Sequence, residues 1–311
     1  LESGIDNTCV GRNSADVLTT GNYNVNIGAD SGKLNTTSDG QINIGHEAGA
    51  TSTNAYDVHI GYRAGKNSEP GSASANVAIG FDAMLGVAAS TTSFASVAIG
   101  TSALRAVTGG DRLIGIGFQA GEAHTSNSGS IYIGYRAGAN ANSSNTVVVG
   151  SGALDAIVGS WNSHCVVGED ACTATISKNE HHAFGFEALR SQTSGEKNSA
   201  FGAEALELLT TGVDNSAFGH NVGDKVTGDQ NTLFGSQAGS TGSNDLTSGN
   251  NNILIGYNAE ATSATVDNEI TLGNSSIAAL RCQVTSITAL SDKRDKEKDR
   301  LEQLPPTQWK I

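Results

Sequence analysis

Apolar residues in this chain recur on a two-residue beat in short bursts, and the bursts themselves recur about every 17 residues. Aligning the bursts on one glycine gives sixteen copies, at Gly11, Gly28, Gly45, Gly61, Gly80, Gly100, Gly117, Gly134, Gly150, Gly168, Gly185, Gly202, Gly219, Gly235, Gly256 and Gly273. The residue before the glycine is apolar in every copy. It includes Ile27, Ile44, Ile60, Ile79, Ile99, Ile116, Ile133, Phe184, Phe201, Phe218, Phe234 and Ile255. Two residues earlier the series is again mostly Val or Ile, as at Val25, Ile42, Val58 and Ile114. A two-residue period with β-branched enrichment predicts a short strand in each copy. The pattern therefore predicts an all-β solenoid, or β-roll, of about sixteen turns over residues 1–273, with the twelve residues named above as its core. Phe184, Phe201, Phe218 and Phe234 are expected to form one stack inside it.

Stacking is an energetic necessity. Ordering one copy costs roughly 17–34 kcal/mol of backbone entropy, and two buried apolar side chains return about 3–6 kcal/mol. Only copies that share ladder hydrogen bonds and bury each other can be stable. Sixteen rungs about 4.8 Å apart would extend roughly 70 Å.

Other columns refine the picture. Ala recurs three residues after the glycine (Ala48, Ala64, Ala83, Ala103, Ala120, Ala137, Ala153), which predicts a tight inward corner. Asn recurs four residues before it (Asn7, Asn24, Asn76, Asn198, Asn215, Asn231, Asn252), as expected of a rung-to-rung amide ladder. His164 and His181 replace Asn in that column on adjacent rungs, with His182 beside them. They are read as members of a polar ladder rather than as a metal pair. The middle strand residue, which points to the opposite face, is small or apolar in twelve of sixteen copies, Tyr132, Val148 and Val166 among them. That face should be covered as well, either by two further copies around a three-fold axis or by a second inner strand of the same chain. The stretches near residues 66–75, 86–95 and 240–250 are expected as surface loops on the solenoid flank, where a receptor-binding fibre would make its contacts.

Composition fits a narrow core: 39 Gly, 3 Pro and 5% aromatic residues in 311, with 37% hydrophobic. Net charge is −13, which argues against nucleic acid and anionic lipid as partners. No apolar run is long enough to insert in a membrane, and no cofactor motif is present. The first residue, Leu1, is not Met, so a preceding segment is expected. Cys9, Cys165, Cys172 and Cys282 form no CxxC pair and are expected as buried free thiols. The acids Asp82, Glu187 and Glu204 share one repeat position and read as a solvated stripe rather than the paired carboxylates of a glycan-degrading tailspike. No flat Thr ladder of an ice-binding kind is evident.

The N-x-x-[IVF]-G repeat resembles the head repeats of trimeric autotransporter adhesins and, more closely, the repeats of tailed-phage fibre proteins. Residues 268–296, NEITLGNSSIAALRCQVTSITALSDKRDK, are similar to the junction where a phage fibre shaft meets a C-terminal self-cleaving intramolecular chaperone. The Ser-Asp-x-Arg-x-Lys signature of that family is met by Ser291, Asp292, Arg294 and Lys296. The resemblance implies a homotrimeric virion tail fibre that attaches to a host-surface glycan or protein and joins other tail or virion proteins. A cell-surface adhesin head is the other reading. The resemblance also implies cleavage before Ser291, with Ser291 as nucleophile and Lys296 as its activating partner, in a single turnover that requires a complete chaperone. Residues 274–290 then read as a β neck. Residues 291–311, only 21 in number, read as a truncated or degenerate start of the chaperone, irregular or helical; a helix cap at Ser291 is the second reading and is compatible with the first.

Overall fold

The computed structural model describes residues 3–67, 75–86, 95–156, 163–174 and 180–281. Contacts gather Leu1–Asn274 into one unit, and Ser275–Ile311 form a second. The first unit is a parallel β-solenoid. Sixteen three-residue strands, from β1 (Thr8–Val10) to β16 (Ile270–Leu272), pair in strict chain order in one sheet. The register is that of the glycine alignment: Val10 pairs with Ile27, Phe184 with Phe201 and Ile255 with Leu272. Among the described residues there is no helix, and each turn has one strand.

Each strand is short because both of its ends turn sharply. From Gly11 to Gly235 the repeat glycine has φ between 128° and 147°, and a Cβ there would lie 2.1–2.6 Å from the carbonyl oxygen of the next repeat glycine. No other residue can make that approach. The second and fourth residues after the glycine are left-handed, as at Asp82 (φ 53°) and Met84 (φ 47°), or Glu204 (58°) and Leu206 (52°). A left-handed non-glycine residue costs about 1 kcal/mol or more. The recurring cost is offset by a backbone ladder that continues through the turns, as in Asp82 N–H to Tyr62 O (3.0 Å) and Met84 N–H to Ala103 O (2.9 Å).

The Asn ladder closes the other end of the strand. Asn215 Nδ2 donates to Asn198 Oδ1 (3.1 Å) and to Gly228 O (2.9 Å), and Asn215 Oδ1 accepts from Asn231 N–H (2.9 Å). Each buried amide thus ties its strand to the rung before it and to the loop after it.

The interior differs from the expectation in one respect that governs the rest. It is built from the middle strand residues, Tyr132, Val148, Val166, Ala183, Ala200, Leu233 and Leu254 among them, all fully buried within the single chain. They pack against the inward Ala column and against Met84, Leu104, Leu154, Leu189 and Leu206, the fourth residues after the glycine. The cover is the chain's own turn, neither a second strand nor another copy. The column expected to be the core faces out. Ile27, Ile99, Ile116, Ile133, Phe218, Phe234 and Ile255 are 36–56% exposed, and Ile44, Ile60, Ile79, Phe184 and Phe201 are half-buried. The reason is width. The turn already fills the interior with Leu or Met, so the strand can present only small side chains to it. A Cβ on Gly115 would lie 2.6 Å from Leu104 Cγ. Two large middle residues are accommodated by glycine at the fourth position: Tyr132 sits against Gly121 and Gly138, Leu233 against Gly223.

Candidate assembly face

The outer sheet face carries two parallel columns, the first and third strand residues. From β2 (Val25–Ile27) to β9 (Val147–Val149) every one of these positions is Val or Ile. Their sizes then change. In β11 (His182–Phe184), β12 (Ser199–Phe201), β13 (Ser216–Phe218) and β14 (Thr232–Phe234) the third residue grows to Phe while the first becomes His, Ser or Thr. In β15 (Ile253–Ile255) both are Ile again. In β12, β13 and β14 the larger third residue is offset by a smaller first one, an exchange that close-packed contacts favour; β10 (Cys165–Val167) is small at both positions and β11 large at both. The Phe residues do form the expected stack, with centroids 4.7 and 4.6 Å apart from Phe184 through Phe218 and a tilted 5.9 Å contact to Phe234, but on this outer face.

Cysteines divide by face. Cys172 is buried, Cys165 half-buried on the outer face of β10 (Cys165–Val167), and Cys9 exposed; all three are free thiols. Exposure at Cys9 corrects the expectation of burial. Cys282 lies outside the described residues.

The acids do not form a solvated stripe. Asp82 is buried and holds Arg63 through two bonds (2.8 and 2.6 Å), with Arg105 at 4.0 Å. Arg136 pairs with Asp155 at 3.1 Å. Arg190 bridges Glu187 (3.2 Å) and Glu207. A Thr column also exists. Thr19, Thr108, Thr193 and Thr227 donate their hydroxyls to the carbonyls of Thr36, Thr125, Thr210 and Thr247. Those hydroxyls are committed to the protein rather than presented to a surface.

Four histidines lie inside the coil. His59 Nδ1–H donates to Asn43 Oδ1 (2.8 Å), extending a buried chain through Asn43 Nδ2–H to Asn26 Oδ1 (2.8 Å). His124 bonds the Tyr132 hydroxyl (3.1 Å) and Asn127 O (2.7 Å), and burial pushes the Tyr132 phenol up to about 12. His164 and His181 stack at 5.4 Å in the Asn column. Burial, and then the neighbouring His181 and His182, hold the His164 imidazole down to about 3, so it is neutral in the fold. Among the described residues no group of three His, Cys, Asp or Glu is placed to hold a metal ion.

Ser291, Asp292, Arg294 and Lys296, and most of residues 66–75 and 86–95, lie outside the described residues. Residues 240–250 are described, as an irregular loop without strand or helix. From residue 274 to 281 there is no strand. Comparison of the chain with protein-family models, curated proteins and solved structures gives no match.

Proposed function

We propose that this chain is the shaft of a homotrimeric attachment fibre, in which three parallel copies meet in register through the two outer columns. One observation carries the reading: the outer face is apolar on nearly every rung, and its third strand residue is apolar on all sixteen. It is a strip roughly 70 Å long and about 10 Å wide, larger than the few hundred Å² that monomers usually expose. A partner must repeat at the same spacing and change character at the same rungs. Only a second copy of the chain, parallel and in register, does so, because an antiparallel copy would set the Phe/Ser rungs against Val/Ile rungs. Closure at three rather than two follows the resemblance to phage fibres and adhesin heads. The acidic, loop-bearing flanks would then present contacts to a host surface, and the tail from Ser291 would be the remnant or start of a self-cleaving chaperone.

Light scattering or native mass spectrometry of the chain tests the assembly. Three times 31.7 kDa is expected, and a single-chain mass overturns the reading. Ile116→Asp, on the outer face, should yield single chains that keep their β-sheet circular dichroism. Attachment is tested by retention of the labelled assembly on a panel of bacterial envelopes. Saturable binding to at least one is expected, and binding to none removes the attachment role.

A further inference from the structure

A third outward column, the residue just after each repeat glycine, lies around the corner from the sheet. It holds two aromatic stacks with a one-rung gap between them. His46, Tyr62 and Phe81 stack at 5.2 and 5.2 Å, with interplanar angles of 10° and 7°. Phe118 and Tyr135 stack at 5.3 Å and 10°. The position between Phe81 and Phe118 is the exposed Thr101. The three are in register by backbone bonds, Ser102 N–H to Phe81 O and Gln119 N–H to Thr101 O, both 2.9 Å.

We infer that the rung of Thr101 is the floor of a saccharide-binding slot walled by Phe81 and Phe118. Each wall is covered on one side, by Tyr62 or by Tyr135, yet remains 48% or 43% exposed, so its second face is turned to the gap. Two strand spacings set the walls roughly 10 Å apart. A flat aromatic ring in contact with both would need only about 7 Å, at ~3.5 Å a side. A pyranose is thicker, because its chair carries axial C–H bonds on both faces. Those bonds present their weakly positive hydrogens to the negative ring faces.

The rim supplies what sugar hydroxyls need. Arg105, on the Thr101 rung, is half-exposed and spans the gap from Asp82 (4.0 Å) to Glu122 (3.4 Å). Its free donors, the Thr101 and Ser102 hydroxyls and the Glu122 carboxylate offer donors and acceptors, as vicinal diols require, while the buried Asp82 helps to hold the guanidinium. The column lacks the continuous apolar character of the sheet face. It runs from Phe81 through Thr101 to Phe118, and elsewhere through Ser151, Glu169 and Ala203, so it is local equipment rather than part of a continuous packing surface. The slot deepens, and for its biological meaning rests on, the reading of the chain as an attachment fibre.

The test is an array of defined oligosaccharides probed with the fluorescently labelled full chain, with saturation-transfer NMR on any sugar retained. Wild type should retain at least one hexopyranose-containing oligosaccharide. Thr101→Phe fills the gap with a ring continuous with both stacks; it should reduce binding to background while melting temperature and native mass stay unchanged. Phe81→Ala and Phe118→Ala should each weaken binding about tenfold or more. No oligosaccharide retained by wild type, or Thr101→Phe binding as wild type does, overturns the slot. A chain that binds sugar at Thr101 but has a single-chain mass keeps the slot and loses the trimer. A trimer that adheres to envelopes but retains no sugar does the reverse.

Discussion

Gly138 and Tyr132 share one space inside the solenoid: a Cβ on Gly138 would lie 2.4 Å from Tyr132 Cδ1 and 2.5 Å from Cε1. Elsewhere the same two positions are exchanged in size, as with Leu104 against Ala98 or Leu206 against Ala200, all fully buried. Gly138→Leu is therefore expected to destabilise the coil by about 3 kcal/mol or more through overpacking. Gly138→Leu combined with Tyr132→Ala should recover most of that, since Leu is accommodated at φ 48° at Leu104. Thermal melts of the two singles and the double measure the coupling. Additive losses would show that the two side chains do not compete.

The outer face makes a parallel prediction for assembly. Phe201→Ile removes volume from a rung whose first residue is Ser199. It should lower the dissociation temperature of the oligomer while leaving the circular dichroism of the dissociated chain unchanged. Adding Ser199→Val recreates the Ile/Val rung and should restore the lost stability within the neighbouring rungs. An unchanged dissociation temperature in the single variant would mean that this face is not packed.

Acid should weaken the coil at His164. The folded state holds that imidazole neutral, down to about 3, whereas the unfolded chain protonates it near 6.5. Stability is then fully present above pH 6.5 and is lost as pH falls toward 3. The loss is about 3 kcal/mol by pH 4. Burial lowers His59 and acts with the same sign; burial raises the Asp57 carboxyl, which acts against it. His164→Asn restores the ladder residue and isolates the effect. Its denaturant midpoint should fall less between pH 7 and pH 4 than that of wild type.

Asn215→Ala should cost about 2–3 kcal/mol. It strands the Gly228 carbonyl and the Asn231 N–H, which Asn215 satisfies inside the fold. The same change at the half-buried Asn250, whose Oδ1 accepts from the Asp229 N–H and whose Nδ2 donates to Asp267, should cost about 1 kcal/mol, because water can reach the groups left behind. Chemical denaturation of both variants provides the comparison.

For the tail, a product that continues past Ile311 through a complete chaperone is expected to split before Ser291. Ser291→Ala should abolish the cut and Lys296→Ala should slow it strongly, because an acyl-transfer route needs the hydroxyl and its activation. Denaturing gels decide, and an uncut wild-type product would leave Ser291 as a helix cap at most.

The sequence by itself determined the period, the sixteen strands and their register, because these follow from the spacing of glycine along a covalent chain. It also determined the inward Ala column and the Asn ladder, whose residue types serve one purpose each. It did not determine which face of a three-residue strand turns inward. Both faces are apolar, and ranking side chains by hydrophobicity favours Ile and Phe over Ala. A usable signal lay at longer range, in particular pairs: Tyr132 goes with Gly138 and Leu233 with Gly239, whereas Ala98 goes with Leu104 and Ala200 with Leu206. Tertiary structure decided the matter, because the left-handed turn carries its own Leu or Met into the coil on many rungs and leaves the middle strand residue, most often Ala, to fill the remaining space. Ile and Phe are thereby turned outward, where a neighbouring copy rather than the chain's own core would bury them. The slot at Thr101 was equally invisible in one dimension, since Phe81 and Phe118 stand 37 residues apart and become neighbours across a single rung only when the turns stack.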